Sequence, residues 1–298
     1  MSRVLILSDG RLGHLNQSIA LAKYANIPYD IYTIKPKFSF TKALTYIFDK
    51  LNFKTKILFD NLKLKDEVYT SVVGTGSLCY YMVKVLSEEL KCSSVVMMLP
   101  KGYKFNFTTI FAQKHDNPPI LSNIITLPAN FSYIEPKNIY VAKKKSIGIV
   151  IGGDNSVFTF SKDKLRIQLN FIKKHYSDYE IALTTSPRTS LEIEDLITSY
   201  DFEYKVIFSK NPINPIPDFL EQCEFVFITA DSTSMISEAI SYGNSNIVVL
   251  PLQSKKENKF ERFIKELENE SYLYVFDGKI ENKNRKIDFT SYLHGVEL

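Results

Sequence analysis

A histidine in a glycine-containing loop is the first feature of this sequence that could do chemistry. The loop reads Ser8-Asp9-Gly10-Arg11-Leu12-Gly13-His14 and follows a short apolar run. A side chain there could remove a proton from a hydroxyl group, so His14 and Asp9 are the predicted catalytic bases. A helix that opens after such glycines presents free backbone N–H groups, which favours an anionic ligand near Gly13. The alternative is that the glycines only form the turn and that Asp9 caps the helix.

A second candidate pair, His115 and Asp116, lies in the polar loop that runs from Gln113 to Pro119. The carboxylate could orient the imidazole, or the pair could line the acceptor side of a site. A solvated loop histidine fits the pattern equally well.

Three loops in the second half of the chain carry residue types that bind phosphate. In Gly152-Gly153-Asp154, two adjacent glycines allow a backbone or a ligand to approach closely. Thr184 to Thr189 surround Arg188 with hydroxyl groups, and a fixed guanidinium suits a diphosphate; a capping cluster with a surface arginine is the alternative. Thr229 to Ala239 combine a hydroxyl-rich helix start with Glu238, which either reaches a ribose or is an ordinary solvated glutamate. The predicted donor-binding residues here are Gly152, Gly153, Asp154, Thr185, Ser186, Arg188, Asp231, Ser232, Thr233, Ser234 and Glu238.

Several familiar nucleotide-binding motifs are missing from these loops. The glycines do not form GxGxxG, and Lys35 and Pro36 stand where a dinucleotide site has an acidic residue, so NAD is disfavoured. There is no Asp-x-Asp pair at a strand end and no Gly-Lys-Ser loop, which argues against a Mg²⁺-bridged donor and against nucleoside triphosphate hydrolysis. The sequence therefore predicts a nucleotide ligand that is bound without a metal or a cofactor.

Composition restricts the remaining classes of partner. The 37 basic residues nearly balance the 33 acidic ones and are spread along the chain, so nucleic acid is not expected. The three cysteines, Cys79, Cys92 and Cys223, have no CxxC spacing, which supports neither a disulfide nor zinc. No window has eighteen consecutive apolar residues, and the start has no signal-peptide pattern, so a cytoplasmic location is predicted.

The elements that must position these loops follow a repeating pattern. Short β-branched runs alternate with helix-length amphipathic stretches, and the pattern restarts after the interruption at Lys143 to Lys145. Runs such as IGIVI and FVFI are apolar throughout, as parallel strands covered on both faces must be. The sequence predicts an α/β fold of two Rossmann-like, doubly wound domains with a central cleft, over residues 1–142 and 146–298. Ligands in such sheets sit beyond the carboxyl ends of the strands, where the polar loops lie.

Six ordered blocks resemble the elongated-mitochondria (mitochondrial fission) family and span nearly the whole chain: DGRLGHLNQS, HDNP, GGDN, TTSPRTS, TADSTSMISEA and KKENKFERFIKEL. The resemblance implies either a GT-B glycosyltransferase, which bacterial members look like, or a fission factor of the plant type. The first block is also similar to the glycine-histidine loop of the lipid II N-acetylglucosaminyltransferase, in which that loop faces acceptor and sugar. Pro187 replaces a second basic residue, and Ser156-Val157-Phe158 replaces an aromatic-basic run, which indicates a changed donor or a weaker grip on phosphate.

The leading hypothesis is transfer of a sugar from a nucleotide-sugar donor to a hydroxyl acceptor, with a lipid-linked or cell-envelope glycan as one class of acceptor. The second domain would hold the donor and the first would supply the base; inversion and retention both remain open. The predicted acceptor-side residues are Arg11, Asn16, Gln17, Gly76, His115 and Asp116. One alternative is a non-catalytic, membrane-associated adaptor. Another is a sugar-nucleotide epimerase of the same fold, for which Asp9, Asp116 and Asp154 are the few candidate carboxylates.

The stretch from Lys35 to Lys65 bears on where the protein works. It interleaves aromatic and aliphatic residues with eight lysines, a combination that could rest on an anionic membrane surface. This pattern predicts a peripheral location on the inner face of the membrane. The alternative is an ordinary amphipathic helix and strand with solvated lysines.

Overall fold

The computed structural model describes residues 3–254, 258–279 and 285–298. They form two compact units: unit 1 comprises Met1–Tyr133 and Asp288–Leu298, and unit 2 comprises Ile134–Ile287. The division differs from the predicted domains of 1–142 and 146–298, because the last eleven residues pack within unit 1. Phe289 is fully buried there and stacks on Phe131, with ring centroids 4.5 Å apart.

Unit 1 is built on a parallel six-stranded sheet in the order β2-β1-β3-β4-β5-β6. Residues Val4 to Leu7 of the first strand are at most 1% exposed, as expected for a strand covered on both faces. Its strands are β1 (Arg3–Ser8), β2 (Tyr29–Thr33), β3 (Tyr69–Thr75), β4 (Ser93–Met97), β5 (Thr109–Gln113) and β6 (Ile124–Leu127). Its helices are α1 (Leu12–Tyr24), α2 (Thr41–Lys50) and α3 (Cys79–Leu90), with 3₁₀ turns at Lys114–Asp116 and Phe289–Leu293.

Unit 2 contains a second parallel six-stranded sheet, in the order β10-β9-β7-β11-β12-β14, and a short antiparallel β8–β13 ribbon. Its strands are β7 (Ser146–Ile151), β8 (Phe158–Thr159), β9 (Glu180–Thr185), β10 (Tyr204–Val206), β11 (Phe225–Thr229), β12 (Asn246–Leu250), β13 (Gln253–Ser254) and β14 (Tyr274–Val275). Its helices are α4 (Lys162–His175), α5 (Leu191–Thr198), α6 (Ile216–Gln222), α7 (Thr233–Ser241) and α8 (Lys259–Asn269). No helix in these described ranges is long and apolar enough to cross a membrane.

In each sheet, the chain first adds strands on one side of the first strand and then adds strands on its other side. The position between these two directions is the topological switch point. In unit 1 this point lies between β1 and β3, and in unit 2 it lies between β7 and β11. The unit 2 order corresponds to 3-2-1-4-5-6, the order of dinucleotide-binding sheets. Loops at the carboxyl ends of strands that flank such a switch point are where doubly wound proteins bind ligands, so the fold itself selects two loop pairs.

A buried carboxylate secures the segment that leads into β7. Asp218 on α6 is fully buried, and its two oxygens accept four backbone N–H groups at 2.8 to 3.2 Å. The donors are the consecutive residues Lys137, Asn138, Ile139 and Tyr140. A carboxylate can balance its desolvation in this way without a cationic partner. Asp218 therefore fixes the start of unit 2.

Candidate functional site

A histidine–aspartate pair lies at the switch point of unit 1. His14 Nδ1 is 2.9 Å from Asp9 Oδ2, and Asp9 Oδ1 also accepts a hydrogen bond from the Arg11 amide at 3.2 Å. The Asp9 side chain is nearly buried, whereas part of the imidazole is exposed. Because a carboxylate accepts hydrogen bonds only, it favours the tautomer with hydrogen on Nδ1 and leaves Nε2 as an acceptor. This is how a carboxylate orients a general base in hydrolytic triads.

Gly76 allows the imidazole to pack against the end of β3. Its φ is +91°, and a Cβ atom there would lie 2.4 Å from His14 Nδ1 and 3.0 Å from Asp9 Oδ2. Any side chain at this position would displace the pair. Gly76, which follows β3, therefore contacts the predicted base His14, which follows β1, across the switch point.

The other residues predicted in unit 1 have more varied surroundings. Arg11, Gly13 and Asn16 are exposed, and α1 begins at Leu12, before Gly13 and not after it. Gln17 is buried, and its Nε2 donates to the Gly13 carbonyl at 3.4 Å. Gln17 is therefore packed into the helix surface and is poorly placed to meet an acceptor.

His115 and Asp116 lie on the 3₁₀ turn after β5. His115 is 8% exposed, so the solvated-loop alternative is wrong. Asp116 Oδ1 accepts a hydrogen bond from Lys101 Nζ at 2.8 Å, an ion pair that the sequence did not predict. Strands β1 and β5 are separated by three strand spacings, or roughly 14 Å. The fold therefore does not bring His115 and Asp116 together with His14.

Asp231 joins the loops at the switch point of unit 2. Its carboxylate accepts hydrogen bonds from Thr229 Oγ1 at 2.7 Å, from the Gly153 amide at 3.2 Å and from Arg188 Nη2 at 2.7 Å. Burial raises its pKa, and these three partners oppose that shift. The side chain is 0% exposed and its carboxylate is bonded within the protein, so direct binding of the donor by Asp231 stays a prediction that this geometry does not favour.

The two adjacent glycines accommodate this network. A Cβ atom on Gly152 would lie 2.1 Å from Asp231 Oδ1, and one on Gly153 would lie 1.9 Å from the Arg188 carbonyl oxygen. The sequence indicated that a backbone or a ligand approaches these glycines closely, and in the structure the groups that do so are Asp231 and the backbone of Arg188. Asp154, predicted as a donor ligand, accepts a hydrogen bond from the Phe160 amide at 2.8 Å and lies exposed at the loop surface.

Arg188 is fixed rather than free at the surface. One guanidinium nitrogen bonds Asp231, the other approaches the Gly153 carbonyl at 3.4 Å, and the side chain is 42% exposed. A guanidinium has five N–H donors, so donors remain for an anion. The Ser186 hydroxyl accepts a hydrogen bond from the Arg188 amide at 3.2 Å and supports the same loop.

Helix α7 begins with the predicted run of hydroxyl residues. Ser232 is its N-cap, and the Ser232 hydroxyl accepts a hydrogen bond from the Met235 amide at 3.4 Å. Thr233 and Ser234 occupy the first turn, whose amides have no partner within the helix. These amides and the helix dipole favour an anion just beyond Asp231.

A cavity of about 280 Å³ lies beside this helix, at the carboxyl ends of β7, β9 and β10. Glu238 lines it, and burial raises the pKa of this carboxyl group to about 7. The solvated-glutamate alternative is therefore wrong. Phe208, Ile213 and Pro187 supply apolar walls, and Thr185 Oγ1 accepts the Phe208 amide at 2.8 Å.

Sequence reasoning missed the walls of this cavity. Phe208 and Ile213 belong to the stretch that follows β10, where the repeated asparagines and prolines of KNPINP were the available signal. Across the described ranges, no three His, Cys, Asp or Glu side chains are grouped so that they could hold a metal ion.

Comparisons with known proteins relate the chain to one family and to several solved structures. The family model described as mitochondrial fission ELM1 matches residues 12–291. A protein of Rickettsia prowazekii (strain Madrid E), described as uncharacterized, is 23% identical over an alignment 325 residues long. The alignment covers 93% of this chain and 91% of that protein.

Solved structures resemble the chain at low sequence identity. A putative UDP-N-acetylglucosamine 2-epimerase from Listeria monocytogenes has a TM-score of 0.52 and is 10% identical, over 98% of this chain and 85% of that one. A glycosyl transferase family 9 structure from Veillonella parvula DSM 2008 is also 10% identical, with a TM-score of 0.48 over 89% of this chain and 90% of that one. At such identities only the fold is shown. The Listeria structure and the two sheet orders confirm the predicted α/β class with two Rossmann-like, doubly wound domains.

Proposed function

The chain belongs to the mitochondrial fission ELM1 family, and from that premise we propose that it transfers a sugar from a nucleotide-sugar donor to a hydroxyl acceptor. The observation that carries the proposal is the unit 2 cavity, which has a half-buried carboxylate between apolar walls and beside a helix start. Apolar walls with a few directed polar groups are typical of small-molecule sites. A nucleoside has a flat base and a diol, which matches this combination.

In the proposed donor complex, the base lies against Phe208 and Ile213 and the ribose hydroxyls donate to Glu238. A carboxylate that has lost part of its water gains most from two donors on neighbouring atoms, because these replace that water. Thr185 and Ser186 border the same cavity, and their hydroxyls support the loop that forms its rim.

The diphosphate then extends from the ribose toward Arg188 and the first turn of α7. The donors that Arg188 has left, together with the amides of Thr233 and Ser234, would neutralise the leaving group without a metal or a cofactor. Asp231 contributes by holding the guanidinium in place before the ligand arrives. We therefore assign Asp231 a positioning role.

In the inverting form of the reaction, His14 supplies the base. The acceptor oxygen forms a bond to the anomeric carbon, the bond from that carbon to the diphosphate oxygen breaks, and His14 Nε2 takes the hydroxyl proton. Asp9 stabilises the imidazolium that results, because it already accepts the hydrogen bond from Nδ1. The nucleoside diphosphate leaves, and a lipid-linked or cell-envelope glycan remains the class of acceptor that we propose, at the cytoplasmic face of a membrane.

A sugar-nucleotide epimerase has weaker support. The three carboxylates that the sequence offered for it are all engaged: Asp9 with His14, Asp116 with Lys101, and Asp154 with the Phe160 amide. A non-catalytic adaptor is the second candidate, and the exposed apolar residues in and around α2, among them Phe38, Phe40 and Ile47, favour it.

Thermal unfolding with added nucleosides and nucleoside diphosphates, in the absence of divalent metal, separates the candidates. A ligand that binds only the native state raises the unfolding temperature. The transferase proposal expects stabilisation by at least one nucleoside diphosphate, and loss of that stabilisation in Glu238→Gln. No shift with any nucleotide would favour the adaptor.

A further inference from the structure

Helix α2 in unit 1 packs Leu44, Tyr46 and Phe48 against the core, but it also buries polar residues while apolar residues at its C-terminal end stay exposed. Thr41, Thr45 and Asp49, spaced four residues apart, form its buried face and are at most 5% exposed. On the other side, Ile47 and Leu51 are 51% and 71% exposed. Helices of globular proteins normally turn such apolar residues toward the core.

The buried polar side chains fix this orientation. Thr41 Oγ1 donates to the Leu58 carbonyl at 3.2 Å, and Thr45 Oγ1 lies 2.8 Å from the Tyr103 hydroxyl. Asp49 pairs with the buried Lys84 at 2.5 Å and accepts a hydrogen bond from the Lys104 amide. Turning the helix to bury Ile47 would leave an unpaired charge in the interior, which is costly.

Further aromatic and aliphatic residues before and after α2 are also exposed. Phe38 and Phe40 stack in solvent with ring centroids 5.3 Å apart and planes 6° from parallel. We define the α2 surface by its exposed large apolar residues: Phe38, Phe40, Ile47, Leu51, Phe53 and Ile57. Single exposed apolar residues are common, but six within twenty residues indicate an interaction site.

The charge carried by the segment of the α2 surface is mostly positive. Residues 35–57 contain six lysines and one acidic residue, Asp49, which is buried and paired. Lys54 and Lys56 are occupied by Glu88 and Glu89 on α3. The exposed Lys37, Lys42 and Lys50 form no ion pair with any residue in the described part of the chain.

We propose that the α2 surface binds an anionic lipid bilayer, with its apolar side chains at the boundary between headgroups and acyl chains. A segment that lies in the membrane plane needs apolar residues facing the lipid and lysines at headgroup level, and the α2 surface has both. An acidic protein would satisfy the lysines, but it would leave the stacked Phe38 and Phe40 without an apolar counterpart. The inference requires neither a nucleotide nor catalysis, so it stands independently of the proposed transfer reaction.

The test is sedimentation of the full chain with vesicles of phosphatidylcholine, with and without phosphatidylglycerol. The wild type should bind the anionic vesicles, and high salt should weaken this binding because it screens the lysines. Replacing Lys37, Lys42 and Lys50 together by Glu should lower binding at least tenfold. Reversing Lys164, Lys173 and Lys174 on α4 makes the same change in net charge and should leave binding unchanged.

A second variant tests the apolar component without changing charge. Ile47→Ser with Leu51→Ser alters only exposed positions, so the unfolding temperature should stay close to that of the wild type while vesicle binding falls. Equal binding to neutral and anionic vesicles, or full binding by the triple Glu variant, would overturn the proposal. Absence of vesicle binding by the wild type, with concentration-dependent self-association instead, would assign the α2 surface to a second copy of the chain and would also overturn it.

Discussion

Arg188 Nη2 lies 2.7 Å from Asp231 Oδ2, and this ion pair joins a partly exposed guanidinium to a side chain with no exposure at all. The buried partner is further fixed by Thr229 and the Gly153 amide. A cation held in this way loses little conformational freedom when an anion binds, which is the benefit of preorganisation.

Arg188→Ala should therefore weaken the binding of a nucleoside diphosphate more than the binding of the nucleoside alone. We expect a loss of about 1.5 to 3 kcal/mol in binding free energy, because charge-assisted hydrogen bonds to phosphate disappear, while the affinity for the bare nucleoside is retained. Calorimetric titration with both ligands measures this difference. Arg166→Ala, which removes an exposed arginine paired with Asp163, is the matched control and should change neither affinity. Equal weakening of nucleoside and diphosphate by Arg188→Ala would place the phosphates elsewhere.

Glu238 should make nucleoside binding depend on pH. Burial raises its pKa to about 7, so the carboxylate that accepts the ribose hydroxyls becomes fully populated only above neutral pH. Affinity for a nucleoside without phosphate should rise between pH 6 and pH 8. In Glu238→Gln it should be flat, and a wild-type profile that is equally flat would contradict the ribose assignment.

The same group should affect stability with a defined sign. A glutamate whose pKa is raised in the folded state is protonated there between pH 4.5 and 7 but ionised in the unfolded chain, so its contribution is lost as pH rises through 7. We expect Glu238→Gln to be more stable than the wild type by about 3 kcal/mol at pH 8, and nearly equal to it at pH 4.5. Urea unfolding at the two pH values provides the measurement. A difference that does not change with pH would show that Glu238 is not desolvated.

Asp218→Ala should destabilise unit 2 by about 3 kcal/mol, because four backbone N–H groups lose a charged acceptor in the interior. Asp218→Asn should recover part of this loss, since one oxygen remains as an acceptor. Asp163→Ala, at an exposed position on α4, is the control. The measurement is the midpoint of unfolding in urea. Equal midpoints for Asp218→Ala and Asp163→Ala would contradict this account.

The sequence predicted the loops more reliably than the roles of the residues in them. Apolar runs such as Ile147 to Ile151 indicate buried parallel strands, and the fold class places polar loops at their ends, so His14, Gly152 and Arg188 could be located in advance. The burial of Asp231 could not, because it depends on Thr229, Gly153 and Arg188 meeting across three strands. In the sequence, a polar residue after a strand looks the same whether its side chain binds a ligand or forms hydrogen bonds within the protein.

Helix α2 illustrates a second limit of sequence reasoning. Its periodicity indicated two faces, but a helix with an apolar side is expected to bury that side. Leu44, Tyr46 and Phe48 follow this expectation, whereas Ile47 stays exposed. The burial of Asp49 and Thr45 depends on Lys84 and Tyr103, which come from distant parts of the chain and bond them in the interior. The assignment of residues 288–298 to unit 1 likewise depends on a contact of Phe289 that no local pattern encodes.

The central claim is that unit 2 binds the donor nucleotide and that the His14–Asp9 pair of unit 1 removes the acceptor proton. Its most direct test is donor turnover measured beside calorimetric nucleotide binding for the wild type, His14→Ala and the control His175→Ala, which alters an exposed histidine stacked on Phe171. The account predicts that His14→Ala binds the nucleoside diphosphate as the wild type does while turnover falls by about two to four orders of magnitude, and that His175→Ala changes neither. A His14→Ala protein that keeps full turnover, or that loses nucleotide binding together with turnover, would contradict it.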